Sequence, residues 1–192
     1  STVQPSAERY TLLISTELGS DHGLQDGQAY PFFLAHPLQV SPQAGSQTLG
    51  DIRQWQIEWK YDGIRAQLLQ RDGQRWLWSR GEDLITEGFP ELQGLAATLP
   101  DGTVLDGEIV VWKNEPVAPF SLLQRRIGRK ALNAKILAEA PVVLLAFDVI
   151  EHNGRDIRAL PLAERRALLE RMLAQPSSGA LRLSPLLREN DW

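Results

Sequence analysis

The chain has 192 residues, 43% of them hydrophobic and 23% charged, with a formal net charge of -4 and no cysteine. That length holds one good core or at most two small domains. The acidic balance excludes a domain held to nucleic acid by overall charge, so any such contact needs a local patch. The lack of cysteine excludes disulfides and thiolate metal sites and fits a reducing compartment. No apolar run reaches membrane length, and the N-terminus has no signal-peptide pattern.

In chain order, residues 1–30 carry little pattern beyond a possible short element at Tyr10–Ile14 and a glycine-rich loop from Gly19 to Gly27. Pro31-Phe32-Phe33-Leu34-Ala35-His36-Pro37-Leu38 is apolar and framed by prolines, which predicts a buried extended segment. His36 has no second histidine at metal spacing and reads as structural. Ser41–Gly50 is a loop. Trp55 to Asp62 alternates, with Trp55, Ile57, Trp59 and Tyr61 on one face and Gln56, Glu58, Lys60 and Asp62 on the other. This predicts a strand with one face in a core. Its charged face reads either as a solvated ladder or as a site. Gly63 lets the backbone come close to a ligand, and Arg65 is a fork suited to phosphate.

Ile64, Ala66 and Leu68 continue the alternation, Asp72-Gly73 is a hairpin turn, and Arg75–Ser79 is the returning strand. Pro90, Leu92, Leu95, Ala96 and Leu99 mark a helix, closed by Pro100-Asp101-Gly102. Val104–Trp112 is a buried-strand sequence in which Asp106 and Glu108 share a face with Val104 and Val110. Two carboxylates there need a cation, a metal or donors to meet them, or a place at a strand end near solvent. Phe120, Leu123 and Ile127 predict a short helix ringed by Arg125, Arg126, Arg129 and Lys130, either a solvated face or a contact for a phosphate backbone. Asn133–Glu139 reads as helix and Val142–Ile150 as a central strand, with a turn at Asn153-Gly154. Pro161–Ala174 reads as a helix with Leu162, Leu168, Leu169, Met172 and Leu173 towards the core, and Leu181–Leu187 as a strand interrupted at Pro185. The order is that of an α+β fold, with antiparallel or mixed sheets flanked by helices.

Lys60-Tyr61-Asp62-Gly63-Ile64-Arg65 resembles the nucleophile motif of ATP-dependent DNA ligases, members of the covalent nucleotidyltransferase superfamily. Ser79-Arg80-Gly81-Glu82, Asp106-Gly107-Glu108 and Phe147-Asp148-Val149 are similar to three further motifs of that family, in the same order and with similar spacing. The resemblance spans Pro31 to Trp192 and implies a nucleotidyltransferase (ATP-grasp-like) adenylation domain. It implies that Lys60 attacks the α-phosphorus of ATP, with Asp62 beside it to help position it. Glu58 would accept from the adenine amine, and Arg65 and Arg80 would hold ribose and phosphate groups. Glu108 would touch the ribose or help bind Mg²⁺ (or Mn²⁺), and Phe147 would stack on adenine. AMP would then pass to a 5′-phosphate at a nick in duplex DNA, and the 3′-hydroxyl would displace it.

The family's later glutamate-glycine and lysine-x-lysine motifs, and its OB-fold domain, do not occur before Trp192. The chain also starts without Met and stops at Asn190-Asp191-Trp192 with no cap. These features predict the N-terminal part of an adenylation domain at 31–192, C-terminally truncated and incomplete for nick sealing. Residues 1–30 would link it to an upstream domain. The resemblance implies a monomer in the cytoplasm, or on the nucleoid if bacterial, with no membrane partner. An RNA ligase or mRNA-capping-type enzyme, or a non-catalytic nucleotide-binding module, are the alternatives.

Overall fold

The computed structural model describes residues 27–37, 39, 48–96, 99–113, 117–127, 129, 132–174 and 179–188. Residues 1–26, Leu38, Lys130 and the last four residues, on which some of the expectations above rest, lie outside them. A six-stranded sheet organises the chain, from β1 (Ile64–Arg71), β2 (Gln74–Ser79), β3 (Thr103–Val111), β4 (Val142–His152), β5 (Arg155–Asp156) and β6 (Leu181–Leu183). The path is β2-β1-β3-β4-β5 and antiparallel, while β6 pairs in parallel with β4. Helices α1 (Pro90–Ala96), α2 (Phe120–Gln124), α3 (Ala134–Glu139) and α4 (Leu162–Met172) follow the predicted positions. The α+β class expected from the order of elements is the one observed.

The period-2 pattern divides the sheet into two faces. Ala66, Leu68, Leu105, Ile109, Val111, Leu144 and Ala146 point to the larger core, where Leu92, Leu123 and Leu169 of the helices meet them. The other face carries Leu69, Val104 and Ile150 under Tyr30, and Val110, Val143 and Leu145 beside Tyr61 and Trp112. Between those two clusters the face turns polar, with Asp106 and Glu108. The β1–β2 turn is the predicted one: Asp72 and Gly73 take φ of 49° and 69°, the left-handed pair that hairpin twist requires. Asp101 holds it by accepting from both turn N–H groups at 3.0 Å.

Three expectations are corrected. Trp55–Asp62 is not a strand. It is an extended segment with one bridge, Glu58 to Leu186, and a hydrogen bond from Leu187 N–H to the Ile57 carbonyl at 2.8 Å. Of its aromatic face only Tyr61 packs on a core cluster, while Trp55 is 47% and Trp59 62% exposed. Alternation describes a strand's side chains, but a strand also needs a neighbour along its edge, and here only the 186–187 stretch supplies one. The Pro31–Pro37 segment is exposed rather than buried, with Leu34 64% exposed. Leu34 and Ala35 of this segment line a cleft instead of a core. Leu162 of α4 is exposed too, and the buried positions around it are Arg165, Arg166 and Leu169.

Gly27–Tyr30, which the sequence placed with the linker, straps across the sheet. Trp78 Nε1 donates to the Gly27 carbonyl at 2.7 Å, and the Tyr30 backbone makes two hydrogen bonds with the Gln67 amide. Tyr30 Oη donates to Glu151, which also holds the buried Arg71 guanidinium at 2.6 Å.

Candidate active site

The site grows out of a close approach. Gly63 lies against β3 so tightly that a Cβ there would stand 2.2 Å from the Ile109 carbonyl oxygen. Only glycine permits this, and it brings the Lys60–Gly63 segment over Glu108, whose carboxylate accepts from the Gly63 N–H. Gly107 does the same one strand over, where a Cβ would meet the Leu145 carbonyl oxygen at 2.6 Å. Opposite Gly107, β4 bulges: Asp106 pairs with Asp148 and Gly107 with Ala146, so Phe147 is the extra residue. Bulges re-aim side chains, and this one turns the Phe147 ring into the cleft.

The result is a cleft of about 640 Å³, the size of a small-molecule site. Lys60, Asp62, Arg65, Arg80, Glu108 and Phe147 all line it, with Leu34, Ala35 and Trp59 as an apolar wall. Five separate sequence stretches therefore converge on one cavity. Lys60 makes no hydrogen bond or ion pair among the described residues and its side chain is exposed to the cleft. Arg80 is also exposed, while its backbone N–H donates to the Arg65 carbonyl and keeps the 79–82 loop beside β1. Glu58 does not line the cleft. It is half-buried at the position next to the cleft-wall residue Trp59, beside α4 and 3.8 Å from Arg166.

Burial pushes the Glu108 carboxyl up to about 7, against the pull of the Gly63 N–H and of the charges on Arg65, Lys60 and Arg80. Folding therefore retains a proton that the unfolded chain releases near its ordinary value of 4.5. The contribution of Glu108 to stability therefore falls as pH rises from about 4.5 to about 7 and is level above. Glu108→Gln is expected to flatten that stretch of a plot of Tm against pH; an unchanged slope would show that the carboxylate is not desolvated.

Arg65 is occupied differently from its expected role on ribose or phosphate. Its guanidinium pairs with Asp106 through two hydrogen bonds of 3.2 and 3.0 Å and donates to the Phe33 carbonyl, between the Phe32 and Phe147 rings. Asp106 thus has the cation that its burial demands, although desolvation still raises its pKa. Its cross-strand neighbour Asp148 is matched separately by Arg165 at 2.9 Å. Like charges directly opposite are destabilising, and the two arginines offset that.

The basic cluster is divided. Arg126 has a side chain only 1% exposed, and all five of its N–H groups are used, on Glu91 and on the Gly88 and Ala140 carbonyls. It is not available to a phosphate backbone, which corrects its place in that group. Arg125 pairs with Glu139 at 2.8 Å and Arg129 donates to the Arg125 carbonyl; both remain exposed. His36 is exposed, and no group of three or more histidine, aspartate or glutamate side chains is placed to hold a metal among the described residues. No described helix is long and apolar enough to cross a membrane.

Sequence reasoning missed Arg165 and Arg166, which were passed over for the leucines around them. The signal was present: Arg165/Arg166, Leu169 and Leu173 keep helical spacing, so the arginines occupy the core stripe.

Known proteins are similar to this chain over most of its length. A "Probable DNA ligase" of Opitutus terrae is 42% identical over 146 residues, covering 74% of this chain and 14% of that protein. A second, of Koribacter versatilis, is 36% identical over 155 residues, covering 80% and 26%. The chain thus spans a quarter or so, or less, of those relatives. Among solved structures, the ligase domain of M. tuberculosis LigD superposes with a TM-score of 0.59 at 34% identity, over 73% of this chain and 43% of that one. A mycobacterial DNA ligase D complexed with ATP and MES gives 0.59 at 33% identity over the same shares. The family model of the ATP-dependent DNA ligase domain matches residues 33–191, a match that contains all four motifs and every residue lining the cleft, and the chain belongs to that family.

Proposed function

We propose that this chain carries the nucleotide-transfer centre of an ATP-dependent DNA ligase, as the N-terminal part of an adenylation domain. The observation that supports this best is Lys60, an unpartnered amine opening on a cleft with Phe147 as an aromatic wall and Arg80 at its rim. The Lys60 Nζ, once deprotonated, attacks the α-phosphorus of ATP. A P–N bond forms, the bond to pyrophosphate breaks, and lysyl-AMP results. The 5′-phosphate of a nick then takes the AMP and frees Lys60. Attack by the 3′-hydroxyl on that phosphate releases AMP and closes the strand.

The residues divide the work by their chemistry. Arg80 faces the charge that builds on phosphorus. Phe147 offers its ring to adenine, and a base that reaches past the Trp59 wall would bring its amine to Glu58. Asp62 stands next to Lys60 in the cleft wall and orients it. Arg65, held by Asp106, keeps the Phe33 backbone at the cleft edge. A Mg²⁺ or Mn²⁺ ion fits the donor set, because such ions bind through one or two carboxylates and substrate phosphates rather than an all-protein cage. Glu108 would hold it, and when bound it supplies positive charge against the phosphates. The cytoplasm, with nicked duplex DNA as partner, is the setting that such an activity needs.

Incubation of the full-length protein with ATP and Mg²⁺, followed by peptide mass spectrometry, is expected to show one AMP on Lys60. A protein that gains no AMP, or gains it elsewhere, overturns the proposal. Arg129 stays exposed and is the described member of the basic cluster best placed for a DNA phosphate. Arg129→Glu is expected to weaken nick binding and to lower the slope of log K against log salt by about 1, with AMP uptake unchanged. Binding isotherms at several salt concentrations measure it.

A further inference from the structure

We infer that Arg166 is a positioning residue that acts through Glu58 to set the preference for adenine over guanine. This rests on the proposed role of Glu58 at the adenine amine. Arg166 is a buried charge on α4, 6% exposed at its side chain, and its neighbours account for only part of its donors. Nε donates to Glu170 at 2.9 Å and Nη2 to the Ser184 carbonyl at 2.7 Å. Nη1 is buried with no hydrogen-bond partner among the described residues and stands 3.8 Å from Glu58 Oε1. An unsatisfied buried donor that close to a carboxylate is poised to close on it.

The surrounding backbone gives that contact leverage. The 184–187 stretch runs against Ile57-Glu58, through the Glu58–Leu186 bridge and the Leu187 N–H to Ile57 carbonyl bond. By holding the Ser184 carbonyl and facing Glu58, Arg166 spans both extended segments. Glu58 Oε1 also accepts from the Gln56 amide at 2.6 Å, while Oε2 accepts no hydrogen bond among the described residues. One carboxylate oxygen is thus held in place, and the other is the one that a base reaching past the cleft wall would meet. A carboxylate only accepts. The exocyclic amine of adenine donates to it, whereas guanine presents a carbonyl oxygen at the same ring position and meets it with repulsion. A Glu58 side chain free to rotate away would lose that discrimination.

The test compares lysyl-nucleotide formation from ATP and from GTP in the full-length protein, for wild type, Arg166→Lys, Arg166→Met, Glu58→Ala and the double variant. Arg166→Met is expected to lower the ATP-over-GTP ratio roughly tenfold, with the loss in KM for ATP rather than in kcat. Arg166→Lys is expected to recover part of it. On the Glu58→Ala background, Arg166→Met should change the ratio no further. An unchanged ratio in folded Arg166→Met, or additive losses in the double variant, overturns the inference. Thermal melts identify a variant that has not folded, and Arg166→Lys, which keeps the charge, then decides the matter. Calorimetric binding of ATP and GTP gives the same ratio without catalysis. A wild type that binds ATP selectively but takes up no AMP therefore sinks the enzyme reading and leaves this inference standing.

Discussion

Lys60→Ala and Lys60→Arg are both expected to reduce AMP uptake by a factor on the order of 10⁶, to below detection, with the fold intact. The size follows from the step. The amine forms the bond to phosphorus, so no neighbour substitutes for it. Arginine keeps the positive charge and much of the length, but a guanidinium stays protonated at any pH the protein survives and has no lone pair to offer. The two variants together separate charge from nucleophilicity. Neither is expected to change the melting temperature by more than a degree or so, because Lys60 is exposed and unpaired among the described residues. Measured with radiolabelled ATP, AMP uptake by Lys60→Arg at more than a thousandth of wild type would move the nucleophile elsewhere.

Arg126→Met is expected to cost about 3–5 kcal/mol of folding stability, the largest such effect of any arginine in the basic cluster. The Arg126 guanidinium joins α2 to the Gly88–Glu91 region and to the end of α3 at Ala140, and it lies over the Phe89 ring with its carbon 5.0 Å from the centroid. Removing it strands the Gly88 and Ala140 carbonyls and leaves Glu91 without its partner. Urea unfolding measures the loss, and Arg125→Met, at an exposed pair, serves as the comparison, expected within about 1 kcal/mol of wild type. A stable Arg126→Met protein that binds nicked DNA poorly would instead return Arg126 to the DNA-facing group.

The contrast between Arg126 and Arg129 shows where reading a sequence stops. Both stand in one basic run after an apolar helix stripe, and nothing in the run separates them. What separates them is Glu91, 35 residues away, together with two carbonyls that need donors. The same holds for Arg65. As a fork three positions after Asp62 it reads as a phosphate ligand, yet across β1 and β3 it meets Asp106, whose burial requires it. Trp55–Asp62 failed as a strand for a related reason. Alternation is local, while pairing depends on which edge is free.

Other features were legible because their causes are local. The Asp72-Gly73 turn follows from the left-handed conformations those residues tolerate. β3 and β4 follow from runs of branched apolar residues, α1 and α4 from proline and apolar spacing, and the four motifs from the residue types that nucleotide transfer needs. The amino-acid sequence by itself determined the fold class and the family and pointed to Lys60 as the nucleophile proposed here, since each is written in short-range pattern and in side-chain chemistry. The tertiary structure alone decided that Lys60, Glu108 and Phe147 share one cleft, because two glycines let backbones touch and a bulge turns a ring. It also decided which arginines are buried. A buried charge takes its meaning from the partner that desolvation forces on it, and that partner comes from elsewhere in the chain.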